Sequence, residues 1–243
     1  RAPALDLSAA YVDHDEKSKP HRRLEGMVTA FSILTFVGIL VGSVAELIPM
    51  LTMHKYVDGP NKQVPYSALE LAGRDIYVRE GCYVCHSQMI RTMTSEILRY
   101  GPASTAEESM YDHPFQWGSK RTGPDLARVG GKYPDMWHFR HMIDPRAVTP
   151  KSLMPNYDWL VDQKTNFDIL EKKFSVMKML GVPYSDADIS AAPQAAREQA
   201  KKIVAGLGAQ EVPAGLEDRE IVALIAYLQK LGKNGQDSAG VAK

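Results

Sequence analysis

Two cysteines and a histidine lie close together in the sequence, at Cys82, Cys85 and His86. The C-x-x-C-H spacing brings both thiols within one helical turn, so the two sulfurs can reach the two vinyl groups of a single porphyrin. The adjacent imidazole then lies beneath the iron and can be its proximal ligand. The pattern predicts one covalent haem c, attached through Cys82 and Cys85 and ligated by His86.

A C-x-x-C pair also occurs in redox dithiols and as half of a zinc site. The chain contains only 2 cysteines, so a zinc ion would need histidine ligands as well. No histidine pair follows at zinc-finger spacing, because His138 and His141 are too distant from the cysteines and too close to each other. A thioredoxin-like dithiol is expected in a βαβ context, whereas the flanking sequence has helical patterns. Haem attachment is therefore the favoured interpretation.

The sixth iron ligand is expected downstream of His86. Class I cytochromes c usually use a methionine sulfur, which raises the reduction potential relative to a second nitrogen ligand. Met154 lies in a proline-bounded loop that can pass over the distal face, and it is the predicted ligand. Met89 and Met93 are too near His86 to reach the opposite face, and Met136 and Met142 are expected to pack on the porphyrin. Three histidines are alternatives for bis-histidine ligation: His113, His138 and His141.

A Gly-Pro-x-Leu element at residues 123–126 is similar to the one that follows the attachment site in class I cytochromes c. In those proteins the proline packs beside the proximal histidine, and a backbone carbonyl accepts its N–H, which fixes the orientation and basicity of the ring. The likeness implies this role for Pro124. Four further side chains could bind the haem propionates through charge or N–H donation: Arg121, Arg128, Trp137 and Arg140.

Several segments have the apolar spacing of helices, at residues 67–79, 134–143, 167–180 and 218–231. Asp218 is a possible cap of the last helix and Gly232 its stop. Residues 87–120 are expected to be mostly loop with short helical turns. In class I cytochromes c the helix before the attachment site crosses the terminal helix, which implies contacts between two pairs of residues: Gly73 and Tyr77 with Ala226 and Tyr227.

An uncharged apolar segment at residues 27–45 is long enough to cross about 30 Å of hydrocarbon as a helix. The apolar part of a signal peptide has only about 7–15 residues and ends at a small-residue cleavage site, so an uncleaved anchor is favoured. Four basic residues precede the segment, namely Lys17, Lys19, Arg22 and Arg23. Only Lys55 and Lys62 follow it closely. The positive-inside rule then predicts a cytoplasmic N-terminus and an exported haem domain.

One face of the predicted membrane helix carries small and polar residues, namely Thr35, Gly38, Gly42 and Glu46. Small residues allow close approach of a second helix, and a carboxylate is costly when it faces lipid. Alternatively, Glu46 simply lies at headgroup depth. This face suggests a subunit of a larger membrane complex.

The composition excludes one class of partner. The chain has 29 basic and 29 acidic residues among 243, so its zero net charge argues against nucleic-acid binding. It begins with Arg1, so residue 1 need not be the N-terminus of the natural protein.

The expected class is mainly α, with a membrane helix followed by a class I cytochrome c-like domain with long loop insertions. The predicted segments are a cytoplasmic tail (1–26), an anchor (27–50), a connector (51–66), a haem domain (67–232) and a polar tail (233–243).

Three long motifs resemble the monohaem cytochrome c subunit, subunit II, of cbb3-type cytochrome c oxidases. They are residues 70–91, which contain GCYVCH, residues 111–131, which contain RTGPDLARVGG, and Met154-Pro-Asn-Tyr157. The resemblance implies a bacterial inner-membrane complex that reduces O₂ to water and pumps protons. Residues 185–215 are longer and richer in alanine than the family suggests, so their role is left open.

The resemblance also implies how the subunit works. It would relay electrons from a dihaem subunit or a soluble cytochrome to the catalytic haem–copper subunit. It would bind no O₂, because His86 and Met154 occupy both axial positions. An interfacial calcium near Ser119 is implied as well. The alternatives are a free membrane-anchored cytochrome c, which needs no packing face on its helix, and a peroxidase, which normally needs a second haem.

Overall fold

The computed structural model describes residues 24–52, 63–208 and 212–233. Across these ranges the chain is mainly helical and has no β-strand, with one isolated bridge between Lys164 and Arg219. The predicted fold class is therefore confirmed. The predicted tails over residues 1–26 and 233–243, and the connector over residues 51–66, fall largely outside the described residues. Contacts divide the chain into two units, Arg1–Pro49 and Met50–Lys243, which are described separately.

The first unit consists mainly of one long apolar helix, α1 (Val28–Thr52), whose last three residues lie beyond the end of that unit. By length and composition, Val28–Pro49 can cross a membrane, and none of its side chains is buried within the protein. A Cβ at Gly38 or Gly42 would meet no other atom within 4 Å, and Glu46 is exposed. The helix thus presents an apolar surface that fits membrane anchoring.

The second unit is built from seven further helices among the described residues. They are α2 (Ala68–Arg79), α3 (Thr94–Tyr100), α4 (Asp135–Ile143), α5 (Pro145–Val148), α6 (Leu170–Met179), α7 (Asp186–Leu207) and α8 (Glu220–Lys230). Short 3₁₀ turns are formed by Cys82–Val84, Ala106–Ser109, Asp158–Val161 and Leu216–Asp218. The helices predicted at residues 67–79, 134–143, 167–180 and 218–231 are all present, each within a few residues of the expected ends.

Helix α2 leads directly into the attachment motif, and its start is fixed by a capping box. The Ser67 hydroxyl accepts from the Glu70 amide, and the Glu70 carboxylate accepts from the Ser67 amide. Two of the amides left unpaired at a helix start are thereby satisfied. One face of α2 is buried in the core, including Leu69, Ile76 and Tyr77.

Helix α8 crosses α2 at very short distance, as the likeness to class I cytochromes implied. A Cβ added to Gly73 would lie 2.6 Å from the Ala223 carbonyl carbon and 2.8 Å from the Tyr227 Cβ. The Tyr77 and Tyr227 rings pack with centroids 5.4 Å apart. The neighbour of Gly73 that the sequence did not indicate is Ala223. This crossing fixes the direction in which α2 delivers Cys82.

The predicted cap of α8 is wrong. Arg219 occupies the cap position, and no side chain caps the helix. Asp218 instead belongs to the preceding 3₁₀ turn and forms an ion pair with Lys164. Asp218 is held in this turn because its backbone carbonyl accepts a hydrogen bond from the Thr165 amide, which connects the turn to a neighbouring loop.

The alanine-rich stretch whose role was left open forms helix α7. Ser185 and Asp188 form a capping box at its start, and Ala192, Ala196 and Ala200 are fully buried. Because these side chains are small, α7 packs closely against α2 and α6. The stretch is a supporting layer behind α2.

Candidate haem site

The attachment motif forms a tight turn immediately after α2. Cys82–Val84 is a single 3₁₀ turn, and the His86 amide donates to the Cys82 carbonyl at 2.9 Å. Both cysteines are free thiols, Cys82 half-buried and Cys85 exposed. Burial raises the pKa of the Cys82 thiol to about 12, so that thiol is protonated at neutral pH. Sequence and structure thus place two thiols and an imidazole on one short turn.

The His86 imidazole is held by the Gly-Pro-x-Leu loop. Its Nδ1 lies 2.8 Å from the Pro124 carbonyl oxygen, so an N–H at this nitrogen donates to that oxygen. A backbone carbonyl contact at this loop is what the likeness to class I cytochromes c implied. Burial lowers the pKa of His86, which favours the neutral ring at pH 7. With the proton on Nδ1, the lone pair on Nε2 is available to a metal.

Gly123 lies directly against the same ring. A Cβ at this position would lie 2.7 Å from His86 Nδ1 and 2.8 Å from His86 Nε2, well inside van der Waals contact. The Gly123 amide also donates to the Cys85 carbonyl at 3.0 Å. Only glycine allows the loop backbone to approach the imidazole so closely, so the first residue of the Gly-Pro-x-Leu element has a direct steric role.

A buried polar cluster follows the attachment turn. The Asp125 carboxylate accepts from the Ser87 hydroxyl at 2.7 Å, and the Arg121 Nε donates to that hydroxyl at 2.6 Å. Arg121 also pairs with Glu96 at 2.7 Å. Hydrogen bonds from Arg91, followed by those from Arg121, lower the pKa of Glu96 to about 2. In the sequence, Asp125 is only the unspecified third residue of the Gly-Pro-x-Leu element, so this cluster was not predicted.

Met154 is half-buried and packs against the same hydrophobic core as Cys82. The loop that carries it is pinned on both sides, because the Met154 amide donates to the Ser152 hydroxyl and the Tyr157 amide donates to the Met142 carbonyl in α4. The loop is thus ordered by helix α4. Axial ligation by Met154 stays a prediction.

The residues predicted to contact propionates have varied surroundings. Two nitrogens of Arg128 bind the Glu108 carboxylate at 2.6 Å, and Arg121 is bound within the polar cluster described above. Trp137 is stacked between the Tyr133 and His141 rings, at centroid distances of 4.0 Å and 4.6 Å. Arg140 is exposed. Their contacts with propionates stay predictions.

The calcium expectation has no support beyond the resemblance. Ser119 is exposed, and the described residues contain no group of three or more acidic, histidine or cysteine side chains that could hold a metal ion.

Two buried ring nitrogens indicate that the site suits a haem. His138 is only 2% exposed, and neither its Nε2 nor the buried Nδ1 of His141 has a hydrogen-bond partner among the described residues. Buried polar atoms of this kind normally have partners, and the carboxylates of a porphyrin can provide them. Together with the two thiols and the oriented His86, these residues fit the predicted group.

His138 makes the stability of the domain depend on pH. Burial, with a smaller effect from His141, lowers its pKa from 6.5 to about 4. The folded state resists protonation, so this contribution is complete above pH 6.5 and is lost as the pH falls through 4. His138→Gln should therefore reduce the loss of unfolding free energy between pH 7 and pH 5 by roughly 2 kcal/mol. Guanidinium unfolding of the haem-free full chain in detergent at both pH values measures this, because a haem carboxylate beside His138 would favour its protonated form. Equal losses in the two proteins would contradict the prediction.

A helical domain with a histidine held beside two free cysteines, preceded by an apolar N-terminal helix, is typical of the class of membrane-anchored haem proteins. Residues 21–234 match the family model described as Cytochrome C oxidase, mono-heme subunit/FixO. The chain belongs to this family. It is accordingly a mono-haem subunit of a cytochrome c oxidase, with partners in a haem–copper oxidase complex. A search of curated proteins found no match.

Proposed function

We propose that this chain is the electron-relay subunit of a cbb3-type oxidase and carries one covalent haem c on Cys82 and Cys85, with His86 and Met154 as axial ligands. The observation that carries the proposal is the His86–Pro124 hydrogen bond of 2.8 Å, made by a histidine next to two free cysteines. That bond leaves Nε2 free to ligate iron, which a merely structural histidine does not require.

The residues around His86 act by holding the haem in one geometry. When bound, the haem supplies a reversible one-electron couple at its iron. Pro124 fixes the orientation of the His86 ring through its carbonyl, and Gly123 lets the loop approach that ring. The ordered loop of Met154 is suited to hold the sixth ligand. With His86 and Met154 as its ligands, the iron would change geometry little between oxidation states and would have no open position for O₂, so the subunit itself would not be catalytic.

Within the complex, the haem domain would lie on the periplasmic side of the bacterial inner membrane and the N-terminus in the cytoplasm. Electrons would arrive from a dihaem subunit or a soluble cytochrome and leave to the catalytic haem–copper subunit, which reduces O₂ to water. Support comes from family membership over residues 21–234, and from α1, which is long and apolar enough to anchor the domain.

Replacement of the proposed sixth ligand tests this account. Met154→Ala should leave the haem covalently attached, remove the low-spin spectrum of a six-coordinate iron, and lower the reduction potential by on the order of 0.1 V, because methionine ligation raises the potential. Optical redox titration of the full chain measures both changes. Met179→Ala is the matched control, since Met179 is 76% exposed on α6. An unchanged potential and spectrum in Met154→Ala would exclude Met154 as the ligand.

A further inference from the structure

Asp125 is a fully buried carboxylate directly after Pro124 in the sequence, and its side chain has 0% exposure. It accepts hydrogen bonds at both oxygens. Oδ2 accepts from the Ser87 hydroxyl at 2.7 Å and from the Met89 amide at 3.0 Å, and Oδ1 accepts from the Ala127 amide at 2.9 Å. A carboxylate with three such donors is held in a single orientation.

These bonds connect the two segments that meet at His86. His86 donates to the carbonyl of Pro124. Ser87, which follows His86, donates to the side chain of Asp125, which follows Pro124. Two consecutive residues on one segment are therefore fixed to two consecutive residues on the other. The Leu126 amide adds a backbone bond to the Ser87 carbonyl at 2.8 Å. Asp125 thus supplies the side-chain bonds next to the His86–Pro124 contact.

The negative charge of Asp125 is balanced by the neighbouring Arg121. Arg121 lies 3.4 Å from Oδ2 and also donates to the Ser87 hydroxyl at 2.6 Å and to the Met89 carbonyl at 2.7 Å. A buried ion pair contributes little net stability compared with apolar residues of similar volume, because desolvation offsets the attraction. Packing alone therefore gives no reason for this group, whereas precise placement of the adjacent Pro124 carbonyl does.

We propose that Asp125 is a positioning residue that keeps the Pro124 carbonyl in place against His86 and thereby sets the reduction potential of the haem. The inference rests on the proposed function. A well-made bond from Nδ1–H makes the imidazole a more basic ligand, which stabilises oxidised iron and lowers the potential. Loosening the loop should weaken that bond and raise the potential.

The test compares Asp125→Asn with wild type, using the full holoprotein in detergent. In the reduced protein, hydrogen exchange of the His86 Nδ1–H, followed by NMR, should be roughly tenfold faster or more, because a buried hydrogen-bond network has been weakened. The reduction potential should rise. Asp75→Asn is the matched control, since it likewise neutralises an ion-paired carboxylate, partly exposed and bound to Lys173, that makes none of the contacts around His86. Both readouts should stay at wild-type values in the control.

The two readouts separate positioning from charge. A raised potential with unchanged exchange would mean that only the lost negative charge acts, and it would overturn the proposal. If Asp125→Asn does not accumulate, Ser87→Ala decides, because it removes one donor to Asp125 without changing charge. It should shift both readouts in the same direction by a smaller amount, and no shift would overturn the proposal. In-gel haem staining of the wild type checks the proposed function itself, so unchanged exchange in a stained variant contradicts only the role of Asp125.

Discussion

Gly73→Ala is expected to lower the unfolding free energy by roughly 3 kcal/mol or more, because the new methyl group would overpack the close crossing of α2 and α8. Its Cβ would lie 2.6 Å from the Ala223 carbonyl carbon, and the backbone of α8 cannot rotate away as a flexible side chain can. Helices α2 and α8 would have to separate, and α2 carries the attachment turn at its end. Guanidinium unfolding of the full chain, followed by helical circular dichroism, measures the effect.

Gly206→Ala is the matched control, because Gly206 also lies in a helix but a Cβ there would meet nothing within 4 Å. This change should leave stability unaltered or raise it by roughly 0.5–1 kcal/mol, since alanine loses less backbone entropy in a helix than glycine does. Equal stability of the two variants would show that the α2–α8 contact is looser than described.

Gly123→Ala is expected to disrupt ligation by His86 while leaving the haem attached through the cysteines. The added Cβ would lie less than 3 Å from three atoms of the imidazole, so the ring or the loop must move and the bond to Pro124 must lengthen. The low-spin spectrum at neutral pH should give way largely to a high-spin one. Optical and electron paramagnetic resonance spectra of the purified protein measure this change.

Ser119→Ala serves as the control for that experiment, because Ser119 is an exposed residue of the same loop region. It should retain the wild-type spectrum. A wild-type spectrum in Gly123→Ala as well would mean that His86 does not lie against this loop in the haem-loaded protein.

Local patterns were sufficient to predict the elements that hold the site. The apolar spacing of α2 is a local signal, and it predicted the helix. The capping box at Ser67 and Glu70 is another local signal, which did not enter that prediction. The contact of His86 with the Pro124 carbonyl followed from a motif of known geometry. Helix α7 was left open although its capping box at Ser185 and Asp188 is also readable, because its alanines give a weak apolar pattern.

Contacts between distant residues could not be predicted in the same way. Nothing local indicates that Arg128 pairs with Glu108, or that Arg121, Ser87 and Asp125 meet in one buried cluster. Charged residues in a polar loop look alike in sequence whether they are solvated or buried. The predicted cap at Asp218 failed for a similar reason, since a tertiary contact of its backbone with Thr165 placed the start of α8 one residue later.

The most direct test of the central claim is mild detergent extraction followed by native electrophoresis, with a haem-peroxidase stain on a second, denaturing dimension. A stained band at the mass of this chain, migrating natively with a larger oxidase that contains haem and copper, is the predicted result. The stain should be lost from this band when Cys82 and Cys85 are both replaced by serine. A wild-type band without stain would contradict the covalent haem, and a stained band migrating alone would contradict the role as an oxidase subunit.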